Sequence, residues 1–198
     1  LYKSNMKKIL FFAEDPGAAN YLGTLYTLLK DDFIIYFFAT NTAYDFLIQQ
    51  GFRIMRYEKD KIRNLQIDFF LFGTTGEKEK KWEEIFKFLM TKRVITIGVI
   101  DAIISPDLRF NDKKLLPDYI FVPDKEILKE YKPKYLGCKF ILSGHLQWIE
   151  ILNKREKLFS RRSKFQRKYF SNLESESKKI FFISEPEPPR ENKYFPEN

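Results

Sequence analysis

Short, almost wholly apolar runs recur along this chain, each followed by a stretch with helical spacing. Lys8–Ala13 (KILFFA), Phe33–Ala39 (FIIYFFA), Ile67–Phe72 (IDFFLF) and Arg93–Ile100 (RVITIGVI) are too short and too β-rich for buried helices. They read instead as strands covered on both faces. Phe52–Tyr57, Tyr119–Val122 and Phe140–Leu142 complete a set of seven. Between them, helices are predicted over Asn20–Lys30, Thr42–Gln50 (stopped by Gly51) and Lys125–Tyr131 (stopped before Pro133). The clearest helix places Trp82, Ile85, Phe86, Leu89 and Met90 at i, i+3, i+4, i+7 and i+8. Ala102–Leu116 reads as a loop, and one long helix is predicted from Leu146 to about Phe170. Buried strands alternating with helices mean a parallel sheet with helices on both faces, because parallel neighbours need crossovers that cover it. The expected fold is therefore α/β, a doubly wound, Rossmann-like sheet.

Composition narrows the chemistry. A single cysteine, Cys138, excludes an internal disulfide and fits a reducing compartment, giving a cytoplasmic expectation. A single histidine, His145, excludes multi-histidine metal sites, and neither a metal nor a cofactor is expected. The net charge of +8 is local rather than general. Between Asn153 and Lys168 stand eight basic residues (Lys154, Arg155, Lys157, Arg161, Arg162, Lys164, Arg167, Lys168) against one acid, Glu156. That leaves the rest of the chain near neutral and argues against a nucleic-acid binder. The segment also carries Leu158, Phe159, Phe165 and Tyr169, so it reads either as a solvated helix face or as a contact for an anionic membrane surface. On one continuous helix, Phe159 and Phe165 would lie about 120° apart and could not share a narrow stripe.

In open parallel sheets ligands bind beyond the carboxyl ends of the strands, so the residues following each strand are the candidates. After the first strand come Asp15, Gly17 and Asn20, where small residues let a ligand approach a helix N-terminus. Asp15 as N-cap with Pro16 in the first helical position explains the same residues structurally. After the fourth strand come Gly73, Thr74 and Thr75, suited to an anion or a sugar, although Thr74 with Glu77 also spells a capping box. Asp101 follows the fifth strand and Gly144-His145 the seventh; these two, Asp101 and His145, are the candidate acid–base residues. No G-x-G-x-x-G or P-loop pattern occurs, which disfavours dinucleotide and P-loop sites. Cys138 reads as a small hydrophobe rather than a nucleophile.

Taken in order, KKILFFAEDPGAANYLGTLYTLL, PDYIFVPDKEILKEYKPKYLGCKFILSGHLQWIEIL and KKIFFISEPEP resemble the N-terminal half of glycosyltransferase-B-fold enzymes of bacterial surface-polysaccharide synthesis, over residues 6–185. That superfamily includes sugar-nucleotide 2-epimerases. Family members often follow the turn glycine with Asn-Pro or His-Pro, whereas Gly144-His145 here is followed by Leu146. The resemblance implies an acceptor-side domain over residues 6–170, with Asp15, Gly17 and Asn20 lining the cleft and His145 near it. Residues 171–198 would then be a linker and the first strand, Lys179–Ile183, of a second domain that is missing, truncated or separately encoded. The partner would be a sugar acceptor or nucleotide sugar, and the domain alone would be inactive. Two alternatives stand beside it. One is a self-sufficient module for a small anionic ligand. The other is an epimerase-like enzyme, which needs more carboxylates at the cleft than the sequence offers.

Overall fold

Seven parallel strands form one sheet in the order β3-β2-β1-β4-β5-β6-β7 in a computed structural model that describes residues 6–75, 80–101, 106–110 and 112–169. In chain order the elements are β1 (Lys8–Ala13), α1 (Pro16–Leu29), β2 (Ile34–Ala39), α2 (Asn41–Gln49), β3 (Met55–Arg56), α3 (Lys59–Arg63) and β4 (Phe69–Gly73). There follow α4 (Lys81–Leu89), β5 (Ile95–Val99), α5 (Pro106–Arg109), β6 (Tyr119–Val122), α6 (Lys125–Tyr131), β7 (Lys139–Leu142), α7 (Leu146–Ser160) and α8 (Arg162–Tyr169). Every pairing is parallel, so the expected doubly wound Rossmann-like architecture is what the chain adopts. The chain divides into two units, the first ending at Lys154 and the second beginning at Arg155.

The apolar runs are buried on both faces because alternate residues feed two separate cores. Leu10 and Phe12 of β1, Phe70 and Phe72 of β4, and Ile120 and Val122 of β6 point to one side. There they meet Trp82, Ile85, Phe86 and Leu89 of α4 and Ile127 and Tyr131 of α6. Ile9, Phe11 and Ala13, with Phe37, Leu71 and Val99, point to the other side. They meet Ala18, Tyr21 and Leu22 of α1, Leu47 of α2 and Leu146 at the start of α7. Phe72 stacks on Trp82 with ring centroids 4.5 Å apart, and the periodic stripe Trp82, Ile85, Phe86 and Leu89 is the buried face of α4.

Several boundaries differ from the sequence reading. The first helix begins at Pro16, not Asn20, because Asp15 caps it: its Oδ1 accepts the Ala18 N–H at 2.8 Å. The pattern of large residues missed the small first turn Pro16–Ala19. α3 went unread because it is five residues long and buries only Ile62. Pro106–Arg109 forms one helical turn inside the expected loop. The expected long C-terminal helix is broken at Arg161 into α7 and α8. The strand expected at Lys179–Ile183 lies outside the described residues.

In the second unit, the break at Arg161 changes the geometry of the aromatic residues. Phe159 and Phe165 are both more than half exposed and, with Arg161 and Arg162, line one open crevice of about 380 Å³. Continuous-helix arithmetic had set the two rings apart. The turn between α7 and α8 brings them together. Among the described residues no helix is long and apolar enough to cross a membrane.

Candidate functional site

The strand order reverses between β1 and β4: the chain winds outward from β1 through β2 to β3, then crosses back to start β4 on the other side. At such a reversal the loops after the two central strands diverge and leave a crevice. The loops that the sequence singled out all leave carboxyl ends of strands on this sheet.

The ends of β1, β4 and β5 interlock. Gly73 closes β4 against α1 so tightly that a Cβ there would fall 2.1 Å from the Cβ of Ala18. Gly17 lies against Asp101 in the same way, a Cβ being 2.2 Å from Asp101 Oδ2. Both glycines are therefore close-approach positions. Asp101 is largely buried and pairs with the fully buried Arg109 at 3.4 Å. Burial raises the Asp101 pKa against the pull of that guanidinium. Arg109 also donates to the Thr74 carbonyl and, at 3.2 Å, to Thr74 Oγ1. Thr74 in turn donates its hydroxyl to Val99 O at 2.8 Å. Lys80 is buried as well and donates to the carbonyls of Leu108 and Arg109 at 2.6 and 2.9 Å.

Glu77, the partner of Thr74 in the expected capping box, lies outside the described residues. The helix begins later, at Lys81, and its first free N–H groups are held from another strand. Glu14, the residue after β1, accepts from Lys81 N at 2.9 Å and Trp82 N at 2.7 Å. Burial pushes its pKa up to about 7, outweighing those two donors, and the neighbouring Asp15 adds to the rise.

A second group forms at the ends of β6 and β7. His145 Nε2 lies 3.2 Å from Asp124 Oδ2, with about a third of each side chain exposed. Asp124 is itself fixed, because its Oδ1 caps α6 by accepting from Ile127 N at 2.9 Å. That backbone bond, reinforced by His145, holds the Asp124 carboxyl below its usual range. Gly144, at φ +78°, makes the turn that delivers His145. The exposed Trp148 ring lies beside the imidazole, centroids 5.4 Å apart.

Tyr21 links the two groups. Its ring is buried in α1, and its hydroxyl donates to Ser143 Oγ at 2.7 Å, just before Gly144. Ser143 passes the chain on to Val122 O at 3.1 Å. Burial pushes the Tyr21 pKa up to about 12, so the hydroxyl keeps its proton.

Of the candidate residues, Asp15, Gly17, Gly73, Thr74 and Asp101 come together, but as a brace. Thr74 and Thr75 are buried, and Asp101 has Arg109 as its partner. Asn20 is exposed on α1. His145 pairs with Asp124, not with Asp101. Cys138 is half-buried beside the core, and burial pushes its thiol up to about 11, away from nucleophile chemistry. Sequence reasoning missed Glu14, Arg109, Asp124 and Tyr21 as site residues. Asp124 carried a signal, being an N-cap after β6, whose neighbour β7 leads through Ser143-Gly144 to His145. Arg109, inside a loop without periodicity, carried none.

No protein-family model matches the chain, and no curated protein does. The functional reading therefore rests on geometry and chemistry.

Proposed function

We propose that the first unit is the acceptor-side half of a sugar-nucleotide-dependent glycosyltransferase of the glycosyltransferase-B type. The observation that carries this reading is the His145–Asp124 pair at the carboxyl edge of the sheet. With Nε2–H donating to Asp124, the other ring nitrogen, Nδ1, is the acceptor, and Asp124 stabilises the imidazolium that results. In transfer, Nδ1 takes the proton of the acceptor hydroxyl. The hydroxyl oxygen forms its bond to the anomeric carbon of the donor. The bond from that carbon to the leaving oxygen breaks, and the nucleoside diphosphate departs with the electron pair. The exposed Trp148 ring beside His145 supplies an apolar platform of the kind a sugar face packs on.

The β1–α1 loop supports a hydroxyl-bearing ligand over an anionic one. Three carboxylates crowd that end of the sheet: Glu14, Asp15 as helix cap, and Asp101 against Gly17. A phosphate brought to the start of α1 would meet the Asp15 carboxylate, which already takes one of the helix's free N–H groups.

Trp148 fluorescence reports on the site directly. The full chain is titrated with neutral oligosaccharides and separately with nucleoside diphosphates, using Trp148→Phe as the background from buried Trp82. A saturable response to a sugar, absent in Trp148→Phe and weakened in His145→Ala, is expected. A response to nucleoside diphosphates alone would overturn the acceptor reading in favour of an anion-binding module. Where transfer is assayed, His145→Ala is expected to lower kcat by roughly 10²–10⁴-fold, the range of a lost general base.

A further inference from the structure

We infer that the α7–α8 turn of the second unit docks on anionic phospholipid surfaces, independently of the acceptor site. Three observations converge on lipid. First, Phe159 and Phe165 present more than half of their surface to solvent and line one open crevice, so the apolar area is contiguous rather than scattered. Second, the crevice is rimmed by Arg161 and Arg162, and from Arg155 to Tyr169 the sequence holds seven basic residues against the single acid Glu156. Third, these charges oppose the local helix field. The first turn of α8 holds no acid, and Arg162 and Lys164 stand at the end where a helix is already positive.

A cluster that repels itself and crowds a positive helix end is relieved by external negative charge. An apolar crevice in its midst selects anions that come with hydrocarbon attached. An anionic bilayer supplies both, with headgroup phosphates for the arginines and interfacial acyl chain for the two rings. The Arg155 guanidinium, 5.4 Å from the centroid of the Phe159 ring, keeps charge and ring in one patch. A nucleic acid would use the charges, but no recognition module accompanies them.

Co-sedimentation of the full chain with vesicles tests this. Vesicles of phosphatidylcholine alone are compared with vesicles containing 30% phosphatidylglycerol (about a third anionic lipid, as a probe of charge) at low and high salt. Expected is binding at least tenfold tighter to the anionic vesicles, most of it lost at high salt. Arg161→Gln with Arg162→Gln is expected to weaken binding about fivefold per charge removed. Phe159→Ser with Phe165→Ser should weaken it further while leaving circular dichroism unchanged, since both rings are exposed. Inorganic phosphate at millimolar concentration should not displace the vesicles; displacement would mean a free-phosphate site and overturn the lipid assignment. Equal binding to neutral and anionic vesicles, no binding at low salt, or tighter binding to a single-stranded oligonucleotide would also overturn it.

Discussion

Glu14 follows β1 with a carboxylate that no binding motif would mark, and its position fixes its behaviour. It holds two N–H groups of α4, bonds that favour the charged form, yet burial dominates and its pKa rises to about 7 from 4.5. The folded state therefore binds this proton more tightly than the unfolded chain does. The associated stability is fully present below the unfolded value and is lost as pH rises through the window from about 4.5 to about 7. Asp101 is shifted in the same direction. Glu14→Gln is expected to flatten this part of the pH dependence, by at most about 3 kcal/mol between the two ends of the window. Urea midpoints of both proteins at pH 5, 6, 7 and 8 are the measurement. Parallel curves for the two would mean that the amide bonds, not burial, set the state of Glu14. None of this was legible beforehand, because the amides that Glu14 holds lie 67 and 68 residues away.

At the scale of elements, the sequence revealed what depends on local pattern and hid what depends on distant partners. β6 and α6 match their predicted bounds, because an apolar run and an Asp-capped helix are complete within a dozen residues. The carboxylate that holds the first N–H groups of α4 comes from Glu14, far away in sequence, and the α7–α8 break left no glycine or proline to announce it. The Tyr21–Ser143 bond, spanning 122 residues, belongs to the hidden class. It is a direct polar link between α1 and the turn that carries Gly144 and His145. Tyr21→Phe keeps the buried ring and removes only the hydroxyl, so the expected cost is about 1 kcal/mol, a typical single hydrogen bond. Its effect is expected to be local: faster amide exchange at Ser143, whose N–H donates to Val122 O, with β1 unchanged. A uniform loss of protection across the sheet would instead make Tyr21 a general core residue.

Across the sheet as a whole, the candidate site draws on two kinds of ground. β1 and β4 are central, are paired on both sides, and are buried along nearly their whole length. The brace of Gly17, Gly73, Asp101 and Arg109 stands on them and on the end of β5. β7 is an edge strand with Lys139, Ile141 and Leu142 exposed, and the His145–Asp124 pair stands on it and on β6. Local opening follows burial and pairing, so stability should grade from the centre to the edges. Native-state hydrogen exchange is expected to be slowest in β1 and β4, intermediate in β5 and β6, and fastest in β7 and the two-residue β3. A ligand that engages His145 is then expected to have its largest effect where protection within the sheet is lowest. Protection should rise most in Ser143–His145 and β7, and least in β1, whose amides are expected to exchange only through global unfolding. Equal protection of β7 and β1 in the free protein would remove the basis for this division, and with it the expectation that the imidazole side of the site is the part that ordering completes.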